Sequence, residues 1–93
     1  MKADALESIL VDRLEAEQDG NVFRLPDDKE VTALLRTGAD LLHVQRLKLI
    51  EFGDEGTTLV TKQSEYFVDT ADVFALKLEG SRIQPREQRP GFR

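Results

Sequence analysis

The feature that most limits what this chain can become is Gly53-Asp54-Glu55-Gly56, set between two runs of β-forming residues. Two glycines flank two acids, so positive φ is sterically cheap at both edges of a tight turn. The run before it, Val44 to Phe52, alternates at Leu47 and Leu49 and then shifts phase, because Ile50 and Phe52 are the apolar pair once Glu51 is kept in water. A change of face within one strand is what a β-bulge or sharp bend produces; a strand buried on both faces near its end is the other reading. The run after it, Thr57 to Lys62, is rich in β-branched residues and reads as the returning strand.

Two further β-signals follow. Tyr66-Phe67-Val68 comes after a polar break at Gln63-Ser64, and Val73 to Glu79 comes after the link Asp69-Thr70-Ala71-Asp72. Alternation over 73–79 puts Phe74, Leu76 and Leu78 on one face, which predicts that Phe74 is core. A helix over 64–78 is the competing reading, but it would misplace Tyr66, Val68 and Leu76.

The residues ahead of this stretch read as helix. Leu6, Ile9, Leu10 and Leu14 make an apolar stripe within 3–18, and Asp19-Gly20-Asn21 stops it with Gly20 in the left-handed cap conformation. Val22-Phe23-Arg24-Leu25 is a short apolar link or edge strand ended by Pro26. Asp27, Asp28 and Glu30 suit the first turn of a second helix, with Val31, Leu34 and Leu35 as its buried side and Thr37-Gly38 as its end. Residues 39–46 are either a third helical piece or an extended lead into the first strand. The expected architecture is therefore α+β: two N-terminal helices, then an antiparallel meander of three to four strands, with strand spacing similar to small SH3-like or Sm-like barrels. That likeness is one of fold alone and transfers no function.

With 93 residues, one domain is expected, spanning 1–80, followed by a basic, disordered tail over 81–93. That tail holds Arg82, Arg86, Arg89 and Arg93 against Glu87, a net +3, so a chain of net −5 carries −8 on its remaining residues. An acidic body repels nucleic acid, whereas a basic tail attracts it or an acidic partner. There is no cysteine, so neither disulfides nor thiolate metal sites are open to it. No apolar run approaches the roughly 18 residues of a membrane span, and Met1-Lys2-Ala3-Asp4 does not open a signal peptide. Cytosol is the default expectation.

Candidate chemistry is sparse. His43 is the sole histidine and lacks a nucleophile or a second ligand in any known spacing. Asp54 and Glu55 are two adjacent carboxylates in a turn, too few for a calcium loop. Phosphate-loop and dinucleotide glycine patterns are absent. No catalytic residue, cofactor or metal is expected, and the chain reads as a non-enzymatic protein-interaction or regulatory module. Three surfaces qualify: a sheet edge, the first helix (with a homodimer through 3–18), and the tail, where Arg82, Ile83, Arg86, Arg89, Phe92 and Arg93 are of the types that anchor interfaces. The alternative is a nucleic-acid-binding regulator, with either a small barrel or a winged helix as its body and the tail as its contact.

Overall fold

The computed structural model describes residues 1–79 and shows one N-terminal helix and eight antiparallel strands in two sheets. After α1 (Ala3–Ser8) the helix widens into a π-turn at Ile9–Arg13. The strands are β1 (Glu17–Asp19), β2 (Val22–Arg24), β3 (Glu30–Thr37), β4 (Asp40–Val44), β5 (Leu47–Gly53), β6 (Gly56–Thr61), β7 (Glu65–Val68) and β8 (Val73–Glu79). One sheet has the order β1-β2-β5-β6-β7 and the other β4-β3-β8. The two are separate sheets, so the barrel expectation gives way to an open arrangement. The expected tail over 81–93, and with it Arg82, Ile83, Arg86, Arg89, Phe92 and Arg93, lies outside the described residues.

A single apolar cluster joins both sheets and the helix. Phe23, Leu47, Ile50, Phe52 and Leu59 come from the larger sheet, and Val31, Ala33, Leu35, Val44 and Val73 from the smaller one. Leu6, Leu10 and Leu14 complete it and are almost fully buried. Phe23 and Phe52 meet edge to face, with centroids 5.4 Å apart and planes at 87°, an arrangement that the quadrupoles of aromatic rings favour. Leu6, Leu10 and Leu14 recur every four residues, slightly more than the 3.6 of an α-turn. The wider π-turn, closed by Leu14 N–H on the Ile9 carbonyl at 3.0 Å, compensates for that drift. The helix then stops at Glu15, which takes a left-handed φ of 59°. The expected helix over 3–18 is thus cut short, and Glu17–Asp19 is a strand. Gly20 is left-handed as expected, with φ 65°, but it does so in the hairpin between β1 and β2.

The second helix does not form. Residues 30–37 are a strand paired on both sides, with β4 and β8. Val31, Leu34 and Leu35 match a helical period, yet Val31, Ala33 and Leu35 match a strand period equally well, and those three join the apolar core whereas Leu34 does not. Pairing with β4 and β8 decides between the periods. Asp27 and Asp28 accordingly lie in an ordinary turn, in which Lys29 N–H donates to the Pro26 carbonyl. Residues 40–44 are extended too, so the winged-helix body has no recognition helix.

The Gly53–Gly56 hairpin is present as expected. β5 pairs with β6 through a two-residue loop at Asp54-Glu55, and β6 pairs with β7 to complete a three-stranded meander. The fourth strand departs from the expectation by crossing over: β8 leaves the meander and joins β3 in the other sheet. A 3-10 turn at Thr70–Asp72, capped by Asp69 accepting from Ala71 N–H, makes that crossing. The Thr57 and Thr70 hydroxyls are 2.6 Å apart, which satisfies the buried Thr57 where the crossing begins.

Two bulges set which side chains face the core. In β5 the register slips at Lys48, so Leu47, Ile50 and Phe52 are buried, and the phase change in the sequence is a bulge. The Leu25 N–H uses the displaced Lys48 carbonyl at 2.8 Å. In β8 the register slips at Phe74, because Leu34 opposes Ala75 while Leu35 opposes Val73. Val73 is buried, Leu76 and Leu78 pack against the core, and Phe74 is turned out to 49% exposure. The expectation that Phe74 is core is therefore corrected. The bulge consumes one residue between Val73 and Leu76, and Phe74 is that residue.

Unfolding in urea separates Phe23 from Phe74. Phe23→Ala empties a fully buried site and should lower stability by about 3–5 kcal/mol. Phe74→Ala removes an exposed ring and should cost under about 1 kcal/mol. Equal losses would contradict the bulge. A second test addresses the hairpin. Gly56 has φ 151°, and a Cβ there would sit 2.6 Å from the Val68 carbonyl oxygen. Gly56→Val should lose about 1–3 kcal/mol from backbone strain alone, and the Val68 contact adds to that. A urea midpoint equal to the parent's would refute it.

Candidate functional site

The two open sheets leave four strand edges, at β1 and β7 in one and at β4 and β8 in the other. Unpaired edges are templates for another strand, and proteins ordinarily blunt them with charge, proline, bulges or brevity. β1 is three residues long and carries Glu17 and Asp19. β8 bears the Phe74 bulge together with Lys77 and Glu79. β7 is four residues long, begins at Glu65 and runs directly into the crossing, although its Phe67 is exposed. β4 is longer than β1 and β7, has no bulge or proline, and carries a charge only at Asp40, its first residue. Its pairing with β3 is unbroken from Asp40 to Val44, and Leu41 and Leu42 are 46% and 43% exposed.

The outer face of the small sheet continues this surface. Register places Leu41 beside Arg36, and His43 beside Leu34, which in turn opposes Ala75. The Arg36 guanidinium lies 4.7 Å from the centroid of the Phe74 ring, a cation–π contact that holds the displaced phenylalanine flat against the sheet. One end of the face is thus apolar with a single cation. The other end is polar: Glu30 opposes Glu79, and the Thr32 hydroxyl donates to Glu79 Oε2 at 2.7 Å. That hydrogen bond, with help from Lys77 at 3.7 Å and from His43, holds the Glu79 carboxyl below the ordinary carboxylate range against a smaller opposing effect of burial.

A cleft of about 670 Å³ opens where β4 passes into β5. His43 approaches it from β4, Gln45 from the link to β5, Lys48 from β5, and Lys62 from the turn after β6. Arg46 turns the corner between the sheets in the left-handed conformation, with φ 59°. Asp27 and Glu30 line the same cleft.

Of the residues singled out from sequence, His43 is exposed on the small sheet, and Asp54 and Glu55 form the expected hairpin loop. Among the described residues no group of three or more histidines and carboxylates is placed to hold a metal ion. No helix among them is long and apolar enough to cross a membrane. Leu6, Leu10 and Leu14 of the expected stripe face the chain's own core, and Val11 is the large apolar side chain that this element leaves exposed. The residues that sequence reasoning passed over are Leu41, Leu42 and Arg36. The adjacent leucines were a usable signal, since neighbours in a strand face opposite ways and cannot both enter one core. Comparison with family models, with curated proteins and with solved structures finds no match to the chain.

An NMR titration of Glu79 tests the polar end. Thr32→Val removes the main donor, so the Glu79 pKa should rise towards the ordinary glutamate value. A carboxyl depressed in the folded state adds stability above its unfolded pKa and loses it as pH falls through the folded one. The variant should therefore show a weaker acid dependence of stability. An unchanged Glu79 titration would mean that Thr32 does not hold the carboxylate.

Proposed function

We propose that this chain is a non-enzymatic protein-interaction module that accepts an extended segment of another protein along β4. The observation that carries this reading is that the edge strand Asp40–Val44 presents two exposed leucines in unbroken register, whereas β1 and β8 are blunted and β7, with Phe67 exposed, is only four residues long. In strand addition the backbone hydrogen bonds supply affinity, and alternate side chains supply specificity. Leu41 and the Arg36–Phe74 pair would read one face of the incoming strand, and Leu42 the other.

The occupant is a segment of another protein rather than a second copy. Stable dimers bury about 1,200–2,000 Å² in total, and antiparallel pairing of two five-residue edges engages few side chains on each partner. A longer partner segment can extend beyond the five residues of β4 and so bury more surface. The tail arginines favour the nucleic-acid reading only through their charge, since that body lacks a recognition helix.

Selection of extended peptides against the full chain tests the proposal. Selected peptides should shift the backbone amides of residues 40–44 in NMR spectra and slow their hydrogen exchange. Leu41→Lys combined with Leu42→Lys should abolish binding while leaving the fold intact, because both positions are exposed. Binders that all map to residues 81–93, or that survive both lysines, would defeat it. A concentration-dependent dimer that the two lysines dissolve would replace the partner segment with a second copy.

A further inference from the structure

We infer that the cleft at the β4–β5 corner is a binding site for a compact, multiply charged oxyanion of the phosphate class, presented by a small molecule. The inference is independent of strand addition, for it rests on charge and backbone geometry rather than on an open edge.

Residues 1–79 hold nine lysines and arginines against seventeen aspartates and glutamates. Four of those nine, Lys29, Arg46, Lys48 and Lys62, line this one cleft, where Asp27 and Glu30 are the only carboxylates. The cleft is therefore net positive on a body that is net −8. Among the described residues, Arg46, Lys48 and Lys62 make no ion pair, although carboxylates outnumber them across the body; only Lys29 is paired, with Glu15 at 3.7 Å. Cations concentrated in a concave site focus the field on an incoming anion.

Two backbone irregularities deliver these cations. Arg46 is left-handed, a conformation that glycine or asparagine adopts more cheaply than arginine. An uncommon φ held at a corner is a reason to ask what its side chain does there. Lys48 is the bulged residue of β5, and bulges re-aim side chains. A guanidinium and two ammonium groups around one opening suit an anion with several acceptor oxygens, since guanidinium binds oxyanions through paired N–H donors and ammonium acts as a point charge. The Ser64 and Tyr66 hydroxyls in the lining can add neutral donors.

The probe is inorganic pyrophosphate, titrated into the full chain and followed by NMR, with sodium chloride at matched ionic strength as control. Saturable shifts are expected at the amides of Arg46, Lys48 and Lys62 and at the ring protons of His43, which shares the cleft. Arg46→Gln and Lys48→Gln should each weaken binding about tenfold or more, the effect of losing a charged hydrogen bond. Arg46→Gly guards against a misfolded variant. It relieves the left-handed strain, so its melting temperature should equal or exceed the parent's while binding is lost. Changing Arg82, Arg86, Arg89 and Arg93 to glutamine should leave the cleft shifts in place. Shifts that sodium chloride reproduces, binding that survives Arg46→Gly, or binding that disappears only with the tail arginines would each overturn the inference.

Discussion

What the whole arrangement depends on is that two sheets share one apolar cluster without closing into a barrel. Every strand but β1 supplies inward side chains, yet none of the strands pairs across from one sheet to the other. Contact between them is made by side chains alone, chiefly Phe23, Ile50 and Leu59 from one side and Val31, Leu35 and Val73 from the other. Leu6, Leu10 and Leu14 are then indispensable. They cover apolar surface that a closed barrel would have buried by itself. The π-turn, an uncommon form, is understandable in that light, because it keeps the third leucine over the cluster.

The same constraint explains the two bulges. A strand passing from one sheet towards the other must change the face it presents. β5 follows the corner that links it to β4, and β8 follows the crossing from β7. Both begin with one inward residue, skip two, and then alternate: Leu47, Ile50, Phe52 and Val73, Leu76, Leu78. Each bulge also turns a side chain outwards. At β5 that residue is Lys48, beside the cleft; at β8 it is Phe74, seated against Arg36. The surfaces proposed to bind ligands are thus by-products of how the core is filled, and core and surface are coupled through the bulges.

Openness has a second consequence. A closed barrel abolishes strand edges, whereas two open sheets retain four. Glu17 and Asp19 guard β1 and the charged end guards β8, while β7 is limited by its four-residue length. Against that background the bare leucines of β4 stand out as a surface kept available.

The sequence by itself determined the local features: the hairpin at Gly53–Gly56, the meander through Val68, the left-handed Gly20, the phase change after Leu49 and the inward leucine stripe. Each is set by neighbours within a few residues, through steric freedom at glycine or by apolar spacing. Tertiary structure alone decided the rest. Val31 to Leu35 satisfies the helix and strand periods together, and pairing with β4 and with the distant β8 breaks the tie. Phe74 completes a regular alternation on paper, so nothing local reveals that a register slip will expel it. The cleft is further still from sequence, since Lys29, Arg46, Lys48 and Lys62 converge only once the β4–β5 corner has folded. Local sterics and periodicity act over one turn or one strand, whereas partner choice, register and the grouping of distant charges depend on which surfaces the core leaves to be paired.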